Sequence, residues 1–476
     1  MPAFGRRCHP KSATPNSCIV AVALTHYLPP MSALEEFGYT EQLSRALTTR
    51  DLVVYGMIFM VPIAPYSPFG FVWNEAKGMV PLAYLIGLIG MLFTAMSYAQ
   101  MSRAFPLAGS VYTYAHRGLH EMAGFFSGWL ILLDYILVPA LLYLFSAVAL
   151  RPIFPRMPEW LWLVGFISFN ACVNLLGIQF TAKVNRYMLL MELVVLALFI
   201  ILGLVALYHG AGAGGLTLRP IYNPNVFSPS LVVGATSIAV LSFLGFDGIS
   251  TLAEESRGGE NSVGRAVMLS LVLVGALFML QTWIATDLAQ GMQFSSPETA
   301  FYEITERAGG AWLRLISVVA VVIASAIANA IAAQAAVSRI LFAMARDGKL
   351  PAVLGKIHPR YKTPYVSTLA VAFVSLLVGL FFSARMDDLT RIVNFGALTS
   401  FLLLHLAVIN HFFIRRRSGN WLQHVVFPLV GASVIGFVLY EMDRPAKIMG
   451  ACWIAIGIVY YFILTAVLKK PVELEI

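Results

Sequence analysis

Three acidic side chains, Asp134, Glu192 and Asp247, lie within long apolar stretches that contain no lysine or arginine. A charged side chain at the centre of a bilayer costs at least about 2.5–3.5 kcal/mol. We expect each carboxyl group to be protonated, hydrated or paired with a cationic ligand; the alternative is a hydrogen bond to a neighbouring helix or a place near the interface. We predict that Asp247 assists an ammonium group or shapes the backbone around it, and that Asp134 or Glu192 carries a coupling proton.

Two of the apolar stretches contain residues that interrupt a helix. Three prolines and a glycine fall within residues 62–70, and each proline removes a backbone donor and clashes with the preceding turn. Farther along the chain, Gly245 and Gly248 enclose Asp247, and each glycine weakens a helix by about 1 kcal/mol relative to alanine. Unwound backbone at membrane depth is tolerated where it lines a cavity. The pattern therefore predicts two broken membrane helices, with an ordinary proline kink as the alternative for the first.

The two interruptions predict a solute-binding site built largely from backbone. The amino ends of half-helices carry partial positive charge, which suits an anionic group of a substrate. Phe243 and Phe246 flank the second break, where they would either close over a solute as a gate or simply pack. The predicted substrate-contacting residues are Ile63, Ala64, Tyr66, Ser67, Phe69, Gly70, Phe243, Gly245, Phe246, Asp247 and Gly248.

The elements that position these residues are predicted to be membrane-spanning helices. The chain has 476 residues, of which 59% are hydrophobic and only 12% charged, and its mean hydropathy is +0.78. A soluble protein carries roughly twice that charged fraction, whereas a helix of about 20 apolar residues crosses a bilayer. We predict an all-α integral membrane protein with twelve transmembrane helices, numbered as spans 1 to 12: residues 52–74, 78–102, 122–150, 160–182, 187–207, 229–253, 266–286, 315–338, 363–384, 392–414, 418–440 and 448–468.

Basic residues outside the spans set the predicted orientation. With the amino terminus in the cytoplasm, roughly twice as many lysines and arginines fall in cytoplasmic connections as in external ones, as the positive-inside rule requires. This distribution places both termini in the cytoplasm. It also accounts for the net charge of +8 without a nucleic-acid partner. The polar connection 294–310 is expected to lie on the external surface.

The positions of the two breaks predict the domain organisation. Breaks in spans 1 and 6 fit two inverted repeats of five helices, since each repeat then begins with a broken helix. We predict a cytoplasmic amino-terminal tail over residues 1–47, a ten-helix inverted-repeat transport core over 48–414, and helices 11 and 12 with a short cytoplasmic carboxyl terminus over 415–476. Residues 1–30 are expected to be a disordered tail or to precede a working start at Met31.

Four motifs occur in order along the chain, and together they point to one family. They are RAFPLAGSVYTY (103–114), GWLILLDY (128–135), SFLGFDGISTLAEE (242–255) and ARDGKLPAVLGKIHPRYKTP (345–364). Over residues 48–468 the chain resembles the amino acid–polyamine–organocation permeases, and residues 91–98 with the LLDY motif look most like the putrescine importers among them. The resemblance implies a leucine-transporter-like fold with broken helices 1 and 6, alternating access and, usually, proton-coupled uptake.

Two departures from the family pattern bear on the substrate and the coupling. The first break reads PIAPYSPFG (62–70), whereas family members typically have a glycine-rich break. Tyr66, Ser67 and Pro68 are neutral where putrescine importers tend to carry an aspartate, which favours an amino acid over a diamine without excluding either. Glu192 stands where some proton-coupled members have a lysine, and this implies a different coupling chemistry.

These observations predict a secondary active transporter that imports an amino acid or polyamine, by proton symport with alternating access, across the plasma (bacterial inner) membrane. The predicted partners are the small-molecule substrate, protons and the lipid bilayer. An exchanger and a nutrient-sensing receptor on a transporter scaffold are the alternatives.

An enzyme is not predicted, because the sequence has neither clustered metal ligands nor a nucleophile–base pair. No catalytic residue, metal or cofactor is expected, since the four cysteines and nine histidines are scattered. The solute, proton against sodium coupling, and symport against exchange stay open.

Overall fold

Helices make up the described structure almost entirely. The computed structural model describes residues 43–150, 154, 156–259, 261–297, 299–383, 386–442 and 444–467. Within these residues there is no β-strand, and one isolated parallel bridge joins Leu47 to Ser256. Most of the predicted amino-terminal tail, including Met31, and the end of the predicted carboxyl terminus lie outside the described residues.

The helices keep the numbers of the predicted spans that they occupy. Span 1 comprises Thr49–Met60, Ala64–Tyr66 and Phe69–Glu75; span 2 is Val80–Ala104, span 3 Glu121–Leu150, span 4 Glu159–Leu175 and span 5 Ile178–Tyr208. Span 6 comprises Pro229–Ala239, Val240–Phe243 and Phe246–Glu255; span 7 is Ser262–Leu288; span 8 comprises Ala311–Ile323, Ala324–Asn329 and Ala330–Arg346; span 9 is Tyr365–Phe382. Span 10 comprises Met386–Val408 and Ile409–Arg415, span 11 comprises Leu422–Val426 and Phe427–Glu441, and span 12 comprises Arg444–Phe462 and Ile463–Val467. Helices Val111–Gly118 and Ala300–Gly309 lie in connections.

Most of the predicted spans are long enough to cross a bilayer. Ten helices of the described chain are sufficiently long and apolar, or eleven when the two bent halves of span 1 count as one. Span 4 is apolar but shorter, at 17 residues. The chain is therefore an all-α, multi-pass membrane protein, while the count of twelve crossings stays a prediction.

The boundary between spans 4 and 5 differs from the predicted one. Span 4 was expected to continue to residue 182, but its helix ends at Leu175 and the next helix begins at Ile178. Gly177 between them has φ of +107°, a conformation that only glycine adopts at little cost. The chain therefore turns at Gly177, within what the sequence presents as one apolar run.

The spans differ in how deeply they are buried by the rest of the protein. The most apolar window of span 6 is 82% buried and that of span 3 is 67% buried, whereas the values for spans 11 and 12 are 22% and 11%. Spans 3 and 6, which carry Asp134 and Asp247, are therefore central, and spans 11 and 12 are peripheral.

Candidate functional site

The break in span 1 lies where the prolines predict it. The first helix ends at Met60, the second begins at Phe69, and the two parts of the span are bent by 59°. Val61 has φ of +54°, which is unusual for a β-branched residue and costs conformational energy. One short helical turn, Ala64–Tyr66, fills the middle of the break. The backbone here is irregular at a depth where it must find partners within the protein.

One of those partners is a glutamine that the sequence reasoning missed. Gln281 of span 7 is fully buried, and its Nε2 donates to the Pro62 carbonyl at 2.8 Å and to the Leu277 carbonyl at 3.0 Å. Its Oε1 has no hydrogen-bond partner within the described chain. The sequence signal that could have identified Gln281 is a single amide side chain within an apolar span. Gln281 ties span 7 to the unwound part of span 1.

The break in span 6 is formed by an extended residue and a glycine. Leu244 is extended, Gly245 has φ of +110°, and the following Phe246–Glu255 forms a tight 3₁₀-helix. A Cβ on Gly245 would lie 2.9 Å from the Phe59 carbonyl oxygen, and one on Gly248 would lie 2.2 Å from a Phe59 ring carbon. Both glycines therefore let span 1 approach span 6 closely.

This close approach predicts that Gly248→Ala destabilises the protein. The added methyl group overlaps the Phe59 ring, and overpacking of this kind costs about 1–3 kcal/mol. The midpoint of thermal unfolding of the purified protein in detergent should fall by several degrees. Gly436→Ala in span 11 is the matched control, because its Cβ meets no atom within 4 Å. Equal midpoints for the two variants would contradict the packing described here.

Asp247 lies beside the break in span 6 and is buried at 1% exposure. Its Oδ2 accepts a hydrogen bond from the Tyr135 hydroxyl of span 3, and the Tyr98 hydroxyl of span 2 lies close to the same carboxyl group. Its Oδ1 has no hydrogen-bond partner among the described residues. The arrangement leaves one carboxylate oxygen available to a cationic ligand.

Asp134 belongs to the same region of the protein. Its side chain is 3% exposed, and it directly precedes Tyr135, whose hydroxyl donates to Asp247. Span 10 packs closely against the backbone of span 3 here, since a Cβ on Gly396 would lie 2.5 Å from the Leu130 carbonyl oxygen and 3.1 Å from the Asp134 amide nitrogen. The Asp134 Oδ1 also lacks a partner among the described residues. Two carboxyl groups, from spans 3 and 6, thus share one buried site.

Two groups of packed aromatic rings include Phe246 and Tyr135, the sequence neighbours of Asp247 and Asp134. Tyr98, Phe246 and Phe401 form a triangle with centroid separations of 5.7–5.8 Å. Phe59 packs against Tyr135 at 5.9 Å. Ring faces attract cations, and the attraction grows as water is excluded. We call Tyr98, Asp134, Tyr135, Phe246, Asp247 and Phe401 the carboxylate site.

The other predicted contact residues lie elsewhere. Phe243 packs against Tyr84 at 6.0 Å and Phe278 at 5.1 Å, within spans 2 and 7, and so points away from the ring triangle. Among the span 1 residues, Ile63 is buried, Ala64 is half-buried and Ser67 is exposed. Only Phe246, of the two phenylalanines flanking the break, contacts the carboxylate site.

Tyr66, Phe69 and Gly70 contact the connection between spans 7 and 8, which was expected to lie on the surface. One face of helix Ala300–Gly309 in that connection is buried against span 1. Phe301 is fully buried, stacks on Tyr66 at 3.9 Å and packs against Phe69 at 5.3 Å. A Cβ on Gly70 would lie 2.2 Å from the Pro297 carbonyl oxygen. The helix is amphipathic, and its apolar face covers the second half of span 1.

Glu192 is separate from the carboxylate site. It is fully buried in span 5, and neither carboxylate oxygen has a hydrogen-bond partner within the described residues. Span 5 packs against the first half of span 1 and against the π-helical turn Ala324–Asn329 of span 8. Glu192 is thus a buried acid without a hydrogen-bond partner among the described residues, in a span that packs against these two elements.

Ion pairs close the end of the bundle at which span 6 terminates. Arg339 of span 8 forms a buried ion pair with Glu255, and Arg346 pairs with Glu254 at 3.0 Å. The Ala108 amide also donates to Glu254 at 2.9 Å. The acidic exit of span 6 and the motifs at 103–114 and 345–364 therefore meet at one place, although they are distant in sequence.

Comparison with known proteins gives the same family throughout the chain. The family model for amino acid permeases matches residues 51–473. The chain is 32% identical to the low-affinity putrescine importer PlaP of Escherichia coli K12, over 90% of this chain and 96% of the relative. It is 26% identical to the branched-chain amino acid permease BcaP of Bacillus subtilis 168, over 89% and 93%. It is also 26% identical to human cationic amino acid transporter 4, over 81% of this chain and 62% of that protein.

Proposed function

Because this chain belongs to the amino acid permease family, we propose that it is a secondary active transporter that imports an amino acid or polyamine by proton symport. Its relatives are permeases rather than enzymes and include amino acid and polyamine carriers. The single observation that carries the proposal is the buried Asp247 carboxylate, with one free oxygen, beside the break in span 6. A buried carboxylate with an open oxygen suits an ammonium group, which all of these solutes share.

The proposed architecture follows the sequence prediction. Spans 1–5 and 6–10 form two inverted repeats within a core over residues 48–414, and spans 11 and 12 lie outside that core. Support comes from the broken helices, which occur in spans 1 and 6 as the repeat requires. Both termini lie in the cytoplasm of a bacterium, and the connection between spans 7 and 8 is external.

Alternating access requires a closure on each side of the site. On the external side, Phe301 covers Tyr66 and Phe69 of span 1. On the cytoplasmic side, Glu254 and Glu255 of span 6 are ion-paired with span 8. A solute crosses when these two closures open in turn. Ile63, Ala64, Ser67, Gly70, Gly245 and Gly248 provide the backbone along its route.

The proposed coupling proton resides on Glu192 or Asp134. Both are acids in the buried interior, and neither has a basic partner in an ion pair of the described chain. An uncompensated buried carboxyl group binds a proton readily, because the neutral form avoids the cost of desolvating a charge. Proton release on the cytoplasmic side then drives accumulation of the solute.

Gln281→Leu should slow transport. The leucine keeps the approximate volume but leaves the Pro62 carbonyl without its donor, and an unsatisfied buried acceptor costs about 1–3 kcal/mol. We expect an initial uptake rate about tenfold lower at saturating substrate. Thr282→Val is the control, because that hydroxyl bonds only to carbonyls of its own helix. The account of the break is wrong if the two variants slow uptake equally.

The proposed function is tested with the purified protein in proteoliposomes. Vesicles with an alkaline interior are offered labelled leucine, lysine and putrescine, with and without a protonophore. Gradient-dependent uptake of at least one solute is expected. Uptake that needs sodium would overturn proton symport in favour of sodium coupling. Uptake that occurs only into vesicles preloaded with unlabelled solute would overturn it in favour of exchange. Uptake of none of them under any condition would overturn the transporter proposal.

A further inference from the structure

The carboxylate site holds two acids where one would suffice for an amine. Asp134 and Asp247 come from spans 3 and 6 and are 3% and 1% exposed. Tyr135, the neighbour of Asp134 in sequence, donates its hydroxyl proton to the Asp247 carboxylate. The two acids are thus linked through the adjacent residue Tyr135 and its one hydrogen bond, and each keeps an oxygen without a partner among the described residues.

No basic side chain of the described chain forms an ion pair with either acid. Arg339, the buried arginine of span 8, is already paired with Glu255 and bonded to the Ala335 carbonyl. Two neighbouring carboxylates in a buried site cannot both be ionised without a compensating positive charge. The two carboxyl groups therefore share one proton when the site is empty. When a ligand is bound, its positive charge compensates them instead.

The chemistry of the ligand decides which solutes satisfy this site. A diamine brings two positive charges and no negative one, and it can neutralise both carboxylates. An α-amino acid brings its own carboxylate close to its ammonium group, and like charges placed together in a buried site cost several kcal/mol. The rings of Tyr98, Phe246 and Phe401 suit cationic ends and a methylene chain, since ring faces attract cations and bury apolar surface.

We propose that Asp134 is a substrate-binding residue that, together with Asp247, makes the carboxylate site selective for short diamines over α-amino acids. This inference rests on the proposed function and deepens it by naming the substrate class. It also divides the work between the buried acids. Asp134 and Asp247 hold the substrate, and Glu192, which stands apart in span 5, is left to carry the proton.

The test compares solutes in proteoliposomes containing wild-type protein or the Asp134→Asn variant. The solutes are labelled putrescine, butylamine and leucine, which carry two ammonium groups, one ammonium group, and one ammonium group with a carboxylate. Wild-type protein should prefer putrescine to leucine by at least about tenfold in KM. Asp134→Asn should raise the KM for putrescine by about 10–100-fold, the loss expected when one charged contact is removed. The KM for butylamine should change by less than about threefold.

Two further variants separate selectivity from folding. Asp134→Glu keeps the charge and should retain the preference for putrescine. Asp287→Asn removes a charge at the far end of span 7, where that carboxylate accepts bonds from Thr217 at 2.7 and 2.9 Å, and should leave the preference unchanged.

Each outcome bears on one claim. A preference for leucine in wild-type protein, or an unchanged putrescine KM in Asp134→Asn, overturns the inference while the proposed function stands. If Asp134→Asn does not fold, the wild-type preference and Asp134→Glu still decide, since loss of preference in a folded Asp134→Glu protein points to packing instead of charge. Absence of uptake of all three solutes by wild-type protein removes the proposed function itself.

Discussion

Replacing Asp247 by asparagine should lower the apparent affinity for an amine substrate by about 30-fold or more. The side chain is 1% exposed, and an ammonium group that enters its environment has already lost its water. Removing one partner of a buried charge pair costs about 2–5 kcal/mol. Asparagine keeps the shape of the side chain and an oxygen that can accept from Tyr135, so packing is largely preserved. The measurement is equilibrium binding of labelled putrescine and lysine to protein in detergent, alongside uptake.

Tyr135→Phe is the matched control for Asp247→Asn. It removes the hydroxyl that bonds Asp247 but leaves the carboxylate and the ring, so we expect a smaller loss, of about 3–10-fold. A folded Asp247→Asn protein that binds both ligands as tightly as wild type would remove Asp247 from the ammonium-binding role. Equal losses in the two variants would indicate that Asp247 acts by holding span 3 against span 6.

Replacing Glu192 by glutamine should uncouple transport from the pH gradient. A one-unit gradient is worth about 1.4 kcal/mol per proton, and so supports about tenfold accumulation of a solute that moves with one proton. The amide cannot carry that proton, while the carboxylate site, built from spans 2, 3, 6 and 10, is untouched. We expect the variant to exchange internal for external solute at close to the wild-type rate, but to show no stimulation by the gradient.

Glu303→Gln is the control for Glu192→Gln. Glu303 lies in the connection between spans 7 and 8, where its Oε1 accepts from Thr299 at 2.7 Å, and its replacement should leave gradient stimulation intact. Stimulation of Glu192→Gln to the wild-type extent would show that another group carries the proton. Asp134 is then the next acid to test, at the expense of the role proposed for it in substrate binding.

The sequence predicts the two breaks well because their causes are local. Prolines at 62, 65 and 68 interrupt a helix wherever it packs, and the structure bends span 1 by 59° there. The burial of Asp134, Glu192 and Asp247 is likewise evident from their apolar surroundings, and the structure leaves all three at or below 3% exposure. The family membership inferred from four motifs is confirmed over residues 51–473.

The surroundings of each break could not be predicted in the same way. A span that is apolar on every side gives no signal of which face meets which neighbour. The sequence therefore does not distinguish Phe243 from Phe246. In the structure Phe243 packs against Tyr84, whereas Phe246 contacts Tyr98 and Phe401. The bond from Gln281 to the Pro62 carbonyl joins residues far apart in the chain.

The same limit applies to the solute. The neutral residues Tyr66, Ser67 and Pro68 in the first break favour an amino acid when the sequence is considered alone. The structure places a second buried acid, Asp134, directly before Tyr135, whose hydroxyl donates to Asp247 of a different span. Charge in a buried site depends on every span that lines it, and this is why the proposed preference moves towards a diamine.

The central claim, that this chain carries an amine-bearing solute across a membrane, is tested most directly by counterflow. Proteoliposomes loaded with excess unlabelled putrescine, lysine or leucine are diluted into a trace of the same labelled solute, with no ion gradient. For at least one solute we predict transient accumulation of label above that in protein-free vesicles, and its loss in the Asp247→Asn variant. Label that never exceeds the protein-free level for any of the three, with folded protein in the vesicles, would contradict the account.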